Sequence, residues 1–497
     1  MRVLAEQVVR SMGWVAVSSG AARVTEFVSL AILAIVLSPD DFGLVAVAFL
    51  IANAVAVFQG LGLAPALIQR QGEVSDAANT AFTLTVVTGL GLCAAAVVAA
   101  PGIVSFFSLE QTSATMIVAL LFLKIPIDSF GLIQESLLEK SLRFKLKSCA
   151  EVSSAITFAM VSVSMALAAG GAWSIVVGHL AGSAVRTSLL WRLSPHRPSL
   201  AFDFGLAKQL IEYGKHIVAF SMINFALFNV DYLIVGKVLG STALGLYTLA
   251  FNISNLPATS LTHVVSRVMF PAYSRLQDNM PRLAGSFLAT LRFVSFISIP
   301  LGTVILVLSP EFVMTVLGSK WQGAIPVVQA LAVLGLVRSL LANVGEVYKS
   351  VGRPDITPKI HLAWLLALAP ALLLATRYGV AGVGLAETAV AGLIAPFYVL
   401  SLNRILDLRW RDLLAAVYPG AMSSLVLAGV LVLLQDPVLR ALGVHGFPNL
   451  IISGFVAVVA YLLAAFFISR DTLFQLRALL RLLSRPPATV SASHPLS

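Results

Sequence analysis

The chain contains 497 residues, of which 58% are hydrophobic and only 11% are charged, and its formal net charge is +10. Since soluble domains carry about 25% charged residues, this composition argues against a soluble protein and indicates a polytopic membrane protein. The basic excess does not indicate nucleic-acid binding, because most Lys and Arg residues fall in short connectors predicted on one side of the membrane.

Fourteen apolar segments are long enough for membrane-spanning helices, since a bilayer core about 30 Å thick needs about 20 residues of helix. The fourth is interrupted by Lys124, Pro126 and Asp128. The predicted fold class is therefore all-α, a polytopic membrane protein with 14 transmembrane helices. In chain order they lie near residues 11–37, 41–63, 79–99, 113–134, 149–169, 174–193, 211–238, 244–267, 284–308, 323–346, 357–376, 382–403, 413–434 and 449–469.

An internal repeat divides the chain. Residues Ile32–Ala56 align with Ile234–Ala258 with ten identities in 25 positions, where roughly two or three would arise by chance in such an apolar sequence. This parallel repeat predicts two six-helix lobes related by an axis along the membrane normal. The predicted units are an N-terminal lobe at 1–198, a C-terminal lobe at 199–412, helices 13 and 14 at 413–470, and a cytoplasmic amphipathic and disordered tail at 471–497.

The distribution of Lys and Arg predicts the orientation. With the N-terminus placed in the cytoplasm, 23 basic residues fall in inner segments, 4 in outer loops and 6 within helices. Positive charge accumulates in cytoplasmic loops, so both termini are predicted to be cytoplasmic. The outer connectors, such as Ser38–Asp41 and Gly170–Trp173, are too short to form an outer domain.

Three motifs carry a family resemblance. The first runs from Gly60 to Arg70 and continues through Glu73 to Asn79-Thr-Ala-Phe82, the second is the basic loop Leu137–Lys145, and the third is Gly352–Pro354. Together with the helix layout, they resemble the Wzx-type polysaccharide flippases of the multidrug/oligosaccharidyl-lipid/polysaccharide exporter superfamily, specifically the colanic-acid-exporter-like subgroup. Lys140 departs from the Arg that the family more often has there.

The resemblance implies a transport function and binding partners. Such proteins move an undecaprenyl-diphosphate-linked oligosaccharide from the inner to the outer leaflet of the cytoplasmic membrane, for exopolysaccharide or lipopolysaccharide synthesis. The expected partners are this lipid-linked oligosaccharide, membrane lipids, and the polysaccharide polymerase and export machinery. Each sugar hydroxyl taken unpaired into hydrocarbon costs about 4–8 kcal/mol, so the carrier needs a polar cavity, and the diphosphate favours a cationic one.

Five basic residues lie deep in the predicted helices and are the candidates for this cationic cavity, because intramembrane charges are costly and usually functional. They are Arg23, Lys124, Arg186, Arg292 and Arg338.

A structural alternative stays open for two of these bases. Arg23 and Glu26 are three residues apart, and Lys124 and Asp128 four, so either pair could merely neutralise its own charge along one helix. Lys215 lies near an inner helix end and is expected to snorkel to the head groups.

Two acidic residues within predicted helices are the candidates for binding a coupling ion. Asp231 on helix 7 and Glu387 on helix 12 both fall in the outer third of the predicted membrane. Related lipid II flippases and drug exporters use acids on such helices for a cation, so the resemblance implies a Na⁺ or H⁺ site here. The alternative is that Asp231 only caps neighbouring backbone. No other cofactor is expected.

Two other functions compete with the flippase. A multidrug or cation antiporter of the same superfamily would favour acids over bases in its cavity. A membrane-bound glycan polymerase or ligase would usually carry a large outer loop, and none is predicted. The sequence contains no Walker loop, no metal-ligand spacing and no convincing nucleophile–base pair, so an enzyme is not expected.

The orientation is directly testable. Single cysteines at Gln111 and Ser497, in a background free of Cys93 and Cys149, should label from the outside and from the inside respectively, because of the asymmetry in loop charge. The measurement is labelling of intact cells with a membrane-impermeant thiol reagent, before and after lysis. The reverse pattern at either site would contradict the topology.

Overall fold

The structure, a computed structural model, describes residues 2–70, 75–194, 196–256, 265, 269–434, 439 and 443–468, and for residues 2–17 and 19 only the backbone. The predicted tail at 471–497 lies outside these ranges. Within them every regular element is helical and no strand occurs, which confirms the all-α fold class.

The helices follow one another with short connectors. In chain order they are α1 Arg2–Val36, α2 Pro39–Gln59, α3 Leu63–Gln69, α4 Ser75–Phe106, α5 Ala114–Leu121, α6 Lys124–Lys140, α7 Phe144–Leu167, α8 Ala172–Leu193, α9 Phe204–Ile234, α10 Ser241–Ser254, α11 Met280–Phe312, α12 Ile325–Leu341, α13 Val344–Ser350, α14 Ile356–Ala375, α15 Gly379–Leu406, α16 Trp410–Leu433 and α17 Phe447–Ile468. Two π-helical turns, Val235–Leu239 and Val313–Leu317, extend α9 and α11, and a 3₁₀ turn, Ser319–Ala324, precedes α12.

The chain is a multi-pass membrane protein. Each of the fourteen predicted segments overlaps a helix. Within the described ranges, ten helical stretches are long and apolar enough to cross a membrane. Three of them contain two successive α-helices each: Ala114–Lys140, Ser319–Ser350 and Ile356–Leu406. The count of fourteen spans and the division into lobes stay predictions.

The interrupted fourth segment is two helices. α5 and α6 meet at Phe122 and Leu123, directly before Lys124. Pro126 lies in the first turn of α6, where its missing N–H leaves no helical hydrogen bond unmade.

The tight connector between α1 and α2 is fixed by a capping box. Ser38 Oγ accepts a hydrogen bond from Asp41 N at 3.2 Å, and Asp41 Oδ2 accepts one from Ser38 N at 3.0 Å. Pro39 occupies the first turn of α2, where its fixed φ suits a helix. The remaining Asp41 oxygen, Oδ1, accepts from Ala172 N at 3.1 Å, so the same side chain also holds the start of α8.

The two repeated hairpins pack reciprocally on each other. A Cβ added to Gly43 on α2 would lie 1.9 Å from the carbonyl oxygen of Ser241, and one added to Gly245 on α10 would lie 1.8 Å from that of Pro39. Gly43 and Gly245 are equivalent in the repeat, as are Pro39 and Ser241. Such reciprocity arises between segments related by a local two-fold axis.

Polar side chains join the two halves at this same end, which the sequence predicts to be outer. Asp40 Oδ1 accepts from Ser241 Oγ at 2.8 Å and from Thr242 Oγ1 at 2.6 Å. Lys237 Nζ donates to the Phe106 carbonyl at 2.6 Å, near the end of α4.

Residues before α12 cap the end of α1. The indole of Trp321, fully buried, donates to the Ala34 carbonyl at 2.7 Å. Lys320 Nζ donates to the Ile35 and Leu37 carbonyls, each at 2.7 Å. Together with the contacts of the preceding paragraph, these residues form what we call the clasp: Asp40, Lys237, Ser241, Thr242, Lys320 and Trp321.

At the opposite end, the first two family motifs contact each other. Lys140 Nζ donates to the Leu67 carbonyl at 2.8 Å and also to the Arg70 carbonyl. These two bonds cap the C-terminal end of α3. The halves also meet here, since a Cβ on Gly214 of α9 would lie 2.0 Å from the Leu61 carbonyl oxygen.

The glycine contact gives a stability prediction. Gly43→Ala should lower the free energy of unfolding by about 1–3 kcal/mol, because the new methyl group overlaps the Ser241 carbonyl. Thermal unfolding of the purified protein measures this. Gly285→Ala on α11 is the matched control, since a Cβ there meets no atom within 4 Å. Equal melting temperatures for the two variants would contradict the packing.

Candidate functional site

Two buried carboxylates share one hydroxyl between α9, α10 and α15. Asp231 and Glu387 are each 1% exposed, and Tyr247 is 0% exposed. The Tyr247 hydroxyl lies 2.7 Å from Asp231 Oδ2 and also contacts Glu387 Oε2. A tyrosine hydroxyl has one proton, so it donates to one carboxylate and must accept from the other. Both contacts are satisfied only when one of the two acids is protonated.

Arg338 on α12 completes the cluster. Its Nη2 donates to Glu387 Oε1 at 2.8 Å, and the arginine side chain is 12% exposed. The guanidinium carbon lies 5.2 Å from the Phe228 ring centroid and 5.3 Å from that of Phe251, a cation–π arrangement. These contacts hold the cation over the carboxylate pair.

The cluster of Asp231, Tyr247, Arg338 and Glu387 is neutral with one proton bound. With both acids ionised and Arg338 charged, the formal charge would be −1, and a buried net charge is costly. Asp231 Oδ1 and Arg338 Nε have no hydrogen-bond partner among the described residues. The arrangement can therefore bind and release a proton at the carboxylate pair.

The local helix geometry around Asp231 is irregular. α9 ends at Ile234 and continues as the π-helical turn Val235–Leu239, and such turns are frequent at functional sites. Tyr247 has Val45 as its counterpart in the repeat, so the first half has no hydroxyl at the equivalent position.

A second charged cluster joins α6, α7 and α8. Arg186 Nη2 lies 2.5 Å from Glu135 Oε2, and Lys147 Nζ lies 2.9 Å from Glu135 Oε1. Lys147 also contacts Glu139 and lies 3.6 Å from Glu151. Arg186, a predicted cavity base, is thus paired with an acid. This network was not predicted from the sequence, where its only signal was the four-residue spacing of Glu135 with Glu139 and of Lys147 with Glu151.

The other predicted bases differ in their surroundings. Lys124 pairs with Asp128 along α6, with side-chain exposures of 31% and 22%. Arg23 and Glu26 are both exposed and do not form an ion pair with each other. Arg292 is half-buried, and its Nε has no hydrogen-bond partner in the described part of the chain. Among the described residues, then, Arg23 and Arg292 are the predicted bases that lack a paired acid.

The sequence model of a polysaccharide biosynthesis protein family matches residues 32–326. The chain belongs to this family. The resemblance to polysaccharide flippases inferred from the motifs is thereby confirmed. The match includes Asp231, Tyr247 and Arg292, whereas Arg338 and Glu387 lie beyond it.

Individual relatives cover most of the chain. It is 28% identical over 373 residues to the lipopolysaccharide biosynthesis protein WzxC of Escherichia coli K12, covering 75% of each chain. It is 24% identical over 388 residues to the succinoglycan biosynthesis transport protein ExoT of Rhizobium meliloti, covering 78% of this chain and 77% of that one.

A solved structure shares the fold. The lipid II flippase MurJ in an inward closed conformation superposes with a TM-score of 0.75 at 16% sequence identity, covering 92% of this chain and 99% of the MurJ chain. This polysaccharide biosynthesis family member thus has the MurJ fold. Within the described residues, no group of three or more His, Cys, Asp or Glu side chains is placed to hold a metal ion.

The Arg338–Glu387 pair gives a second stability prediction. Arg338→Met should lower the free energy of unfolding by about 3–5 kcal/mol, because it leaves a buried carboxylate without its cation. Thermal unfolding of the purified protein provides the measurement.

Two further variants make this test specific. The double variant Arg338→Met/Glu387→Gln should recover part of the loss. Lys215→Met is the control, because its partner Glu212 and Lys215 itself are 66% and 51% exposed, and such surface pairs are worth about 0–1 kcal/mol. A loss of stability that the double variant does not recover at all would contradict the pairing.

Proposed function

We propose that the chain moves an undecaprenyl-diphosphate-linked oligosaccharide from the inner to the outer leaflet of the cytoplasmic membrane, by alternating access. The family match over residues 32–326 carries this proposal. The names of the relatives, in lipopolysaccharide biosynthesis and succinoglycan transport, agree with it, as does the fold shared with a lipid II flippase. The chain acts as a transporter, not as an enzyme, with both termini in the cytoplasm.

The charges of the site suit an anionic, sugar-bearing cargo. Arg23 in the first half and Arg292 in the second have no acid paired to them among the described residues, so their guanidinium groups are available to a diphosphate. Arg binds phosphate through two parallel N–H donors. Lys124 and Arg186 would have to leave Asp128 and Glu135 before binding cargo, which makes them secondary candidates.

The contacts between the halves support an alternating mechanism. The clasp closes the predicted outer end through side chains that bind backbone carbonyls or other side chains. Those carbonyls lie at helix ends, so the bonds can break without unwinding a helix. The described state is then one with the outer end closed, and opening the clasp would expose the cargo to the outer leaflet.

The coupling ion is best assigned as a proton. Na⁺ would need several oxygen ligands from the site, but Glu387 Oε1 already binds Arg338 and Oε2 already contacts Tyr247. A proton adds to the Asp231–Tyr247–Glu387 bridge without displacing Arg338. Moving one charge across 100 mV provides about 2.3 kcal/mol, enough to shift a conformational equilibrium when the two states bind the proton differently.

A fourth prediction tests cargo movement and coupling together. Asp231→Asn should abolish glycan export, and Glu387→Gln should strongly reduce it, because each removes a proton-binding carboxylate. The measurement is surface polysaccharide in a strain lacking the native gene, alongside membrane abundance of each variant. Wild-type export should fall with a protonophore and not on removal of sodium.

Lys215→Gln is the control, since its exposed pair with Glu212 lies outside the cluster, and its export should be normal. Normal export by both acid variants at normal abundance would contradict the proton site. Normal surface polysaccharide in cells without the protein would contradict the transport function.

A further inference from the structure

His361 lies on α14, close to the second half's charge cluster but outside it. It is five residues past the start of α14 at Ile356. Its Nδ1 lies 2.6 Å from Asn224 Oδ1 on α9. Because an amide oxygen only accepts, Nδ1 carries the proton and donates it, and Nε2 is left as the nitrogen that exchanges protons with its surroundings.

An aromatic ring connects His361 to the cluster. The His361 ring lies 6.1 Å from the Phe228 ring, edge to face, and the Arg338 guanidinium carbon lies 5.2 Å from the same Phe228 centroid. Arg338 in turn binds Glu387. The imidazole and the guanidinium are therefore close enough for the charge of Arg338 to act on His361.

Helix geometry places His361 deeper toward the predicted inner end than the carboxylates. The end of α14 and the start of α15 meet at one short connector at the predicted outer end. At 1.5 Å per residue, Glu387 lies about 12 Å from this connector along α15, and His361 lies about 21 Å from it along α14. His361 is thus about 9 Å further from the predicted outer surface than Glu387. It stands between the inner end of α14 and the proton-binding bridge.

We propose that His361 is the residue that passes protons between water on the predicted inner side and the Asp231–Tyr247–Glu387 bridge. This inference rests on the proposed proton coupling. His361 Nε2 takes a proton from inner water, becoming an imidazolium, and releases it through intervening water to a carboxylate of the bridge, which becomes a carboxylic acid. The imidazole returns to its neutral form with Nδ1–H still bound to Asn224.

The charge of the cluster links the two proton sites. While both acids are ionised, the cluster carries a net charge of −1 and favours an imidazolium at His361. When the bridge takes up one proton, the cluster is neutral and that attraction is lost. A proton arriving at the carboxylates therefore favours an uncharged His361, so the histidine gives up its proton as the bridge takes it up.

Few other titratable groups face this histidine. From α15, Tyr398 lies 6.4 Å away, ring to ring, and from α9 the neighbours are Asn224, Phe228 and Phe220, the last with its ring centroid 6.4 Å away. On α14 itself, Lys359 is paired with Asp355 and exposed. Within the part of the chain that the structure describes, Arg338 on α12 is thus the charged group that acts on His361.

The test is time-resolved infrared spectroscopy of the full-length protein in liposomes after an acidifying pH jump. The probe is the proton alone, followed by the carboxylic-acid carbonyl band of the bridge, which Asp231→Asn and Glu387→Gln should remove or reduce. In His361→Gln that band should appear at least ten-fold more slowly and reach the wild-type amplitude. His179→Gln, at a half-buried histidine between Phe49 and Phe158 in the first half, should leave the rate unchanged.

A second variant does not depend on removing the imidazole. Asn224→Asp keeps an acceptor for Nδ1–H and adds a negative charge, so it should move the pH profile of the protonation rate to higher pH. A merely structural role for His361 predicts no such shift. An unchanged rate in His361→Gln, together with an unchanged profile in Asn224→Asp, would overturn the relay.

These outcomes separate the relay from the transport proposal. A slowed band in His361→Gln supports the relay even in a protein whose acid variants export glycan normally, which would defeat only the coupling. A carboxylic-acid band that neither Asp231→Asn nor Glu387→Gln affects would overturn the proton site, and the relay with it.

Discussion

The hydroxyl of Tyr247, shared between two buried carboxylates, is the constraint on which the second half of the molecule depends. It brings α9, α10 and α15 to one point, and Arg338 attaches α12 to the same point through Glu387. One proton decides whether all these contacts can be satisfied together. The relative positions of four helices are thereby linked to the protonation of one buried site.

Three clasp residues lie within two turns of this cluster along the same helices. Lys237 follows Asp231 after six residues, and Ser241 and Thr242 precede Tyr247 on α10. A shift of α9 or α10 that accompanies a change in protonation would therefore move residues that hold the predicted outer end closed. No long chain of intermediate contacts is needed to connect proton binding with opening of that end.

Much of the fold was readable from the sequence, because length and apolarity alone locate helices in a membrane protein. The repeat identified Gly43 and Gly245 as equivalent, and the structure gives them reciprocal contacts. The motif residue Lys140 also has a clear local role, capping α3.

The partners of the buried charges could not be read in the same way. Arg338 and Glu387 are 49 residues apart on different helices, and nothing in the spacing links them. Tyr247 carries no charge, so the sequence offered no reason to select it, and Arg186 pairs with Glu135 on another helix. The within-helix pair Lys124–Asp128, by contrast, was visible because its spacing fits one helical turn.

The most direct measurement of the central claim is flipping by the purified protein in liposomes. An undecaprenyl-diphosphate-linked oligosaccharide would be placed in both leaflets and its outward movement followed with a membrane-impermeant glycosidase, with and without a pH gradient. We expect the protein to make the glycan of the inner leaflet accessible to the enzyme, and to do so faster when the gradient is imposed. The same rate as in protein-free liposomes, under either condition, would contradict it.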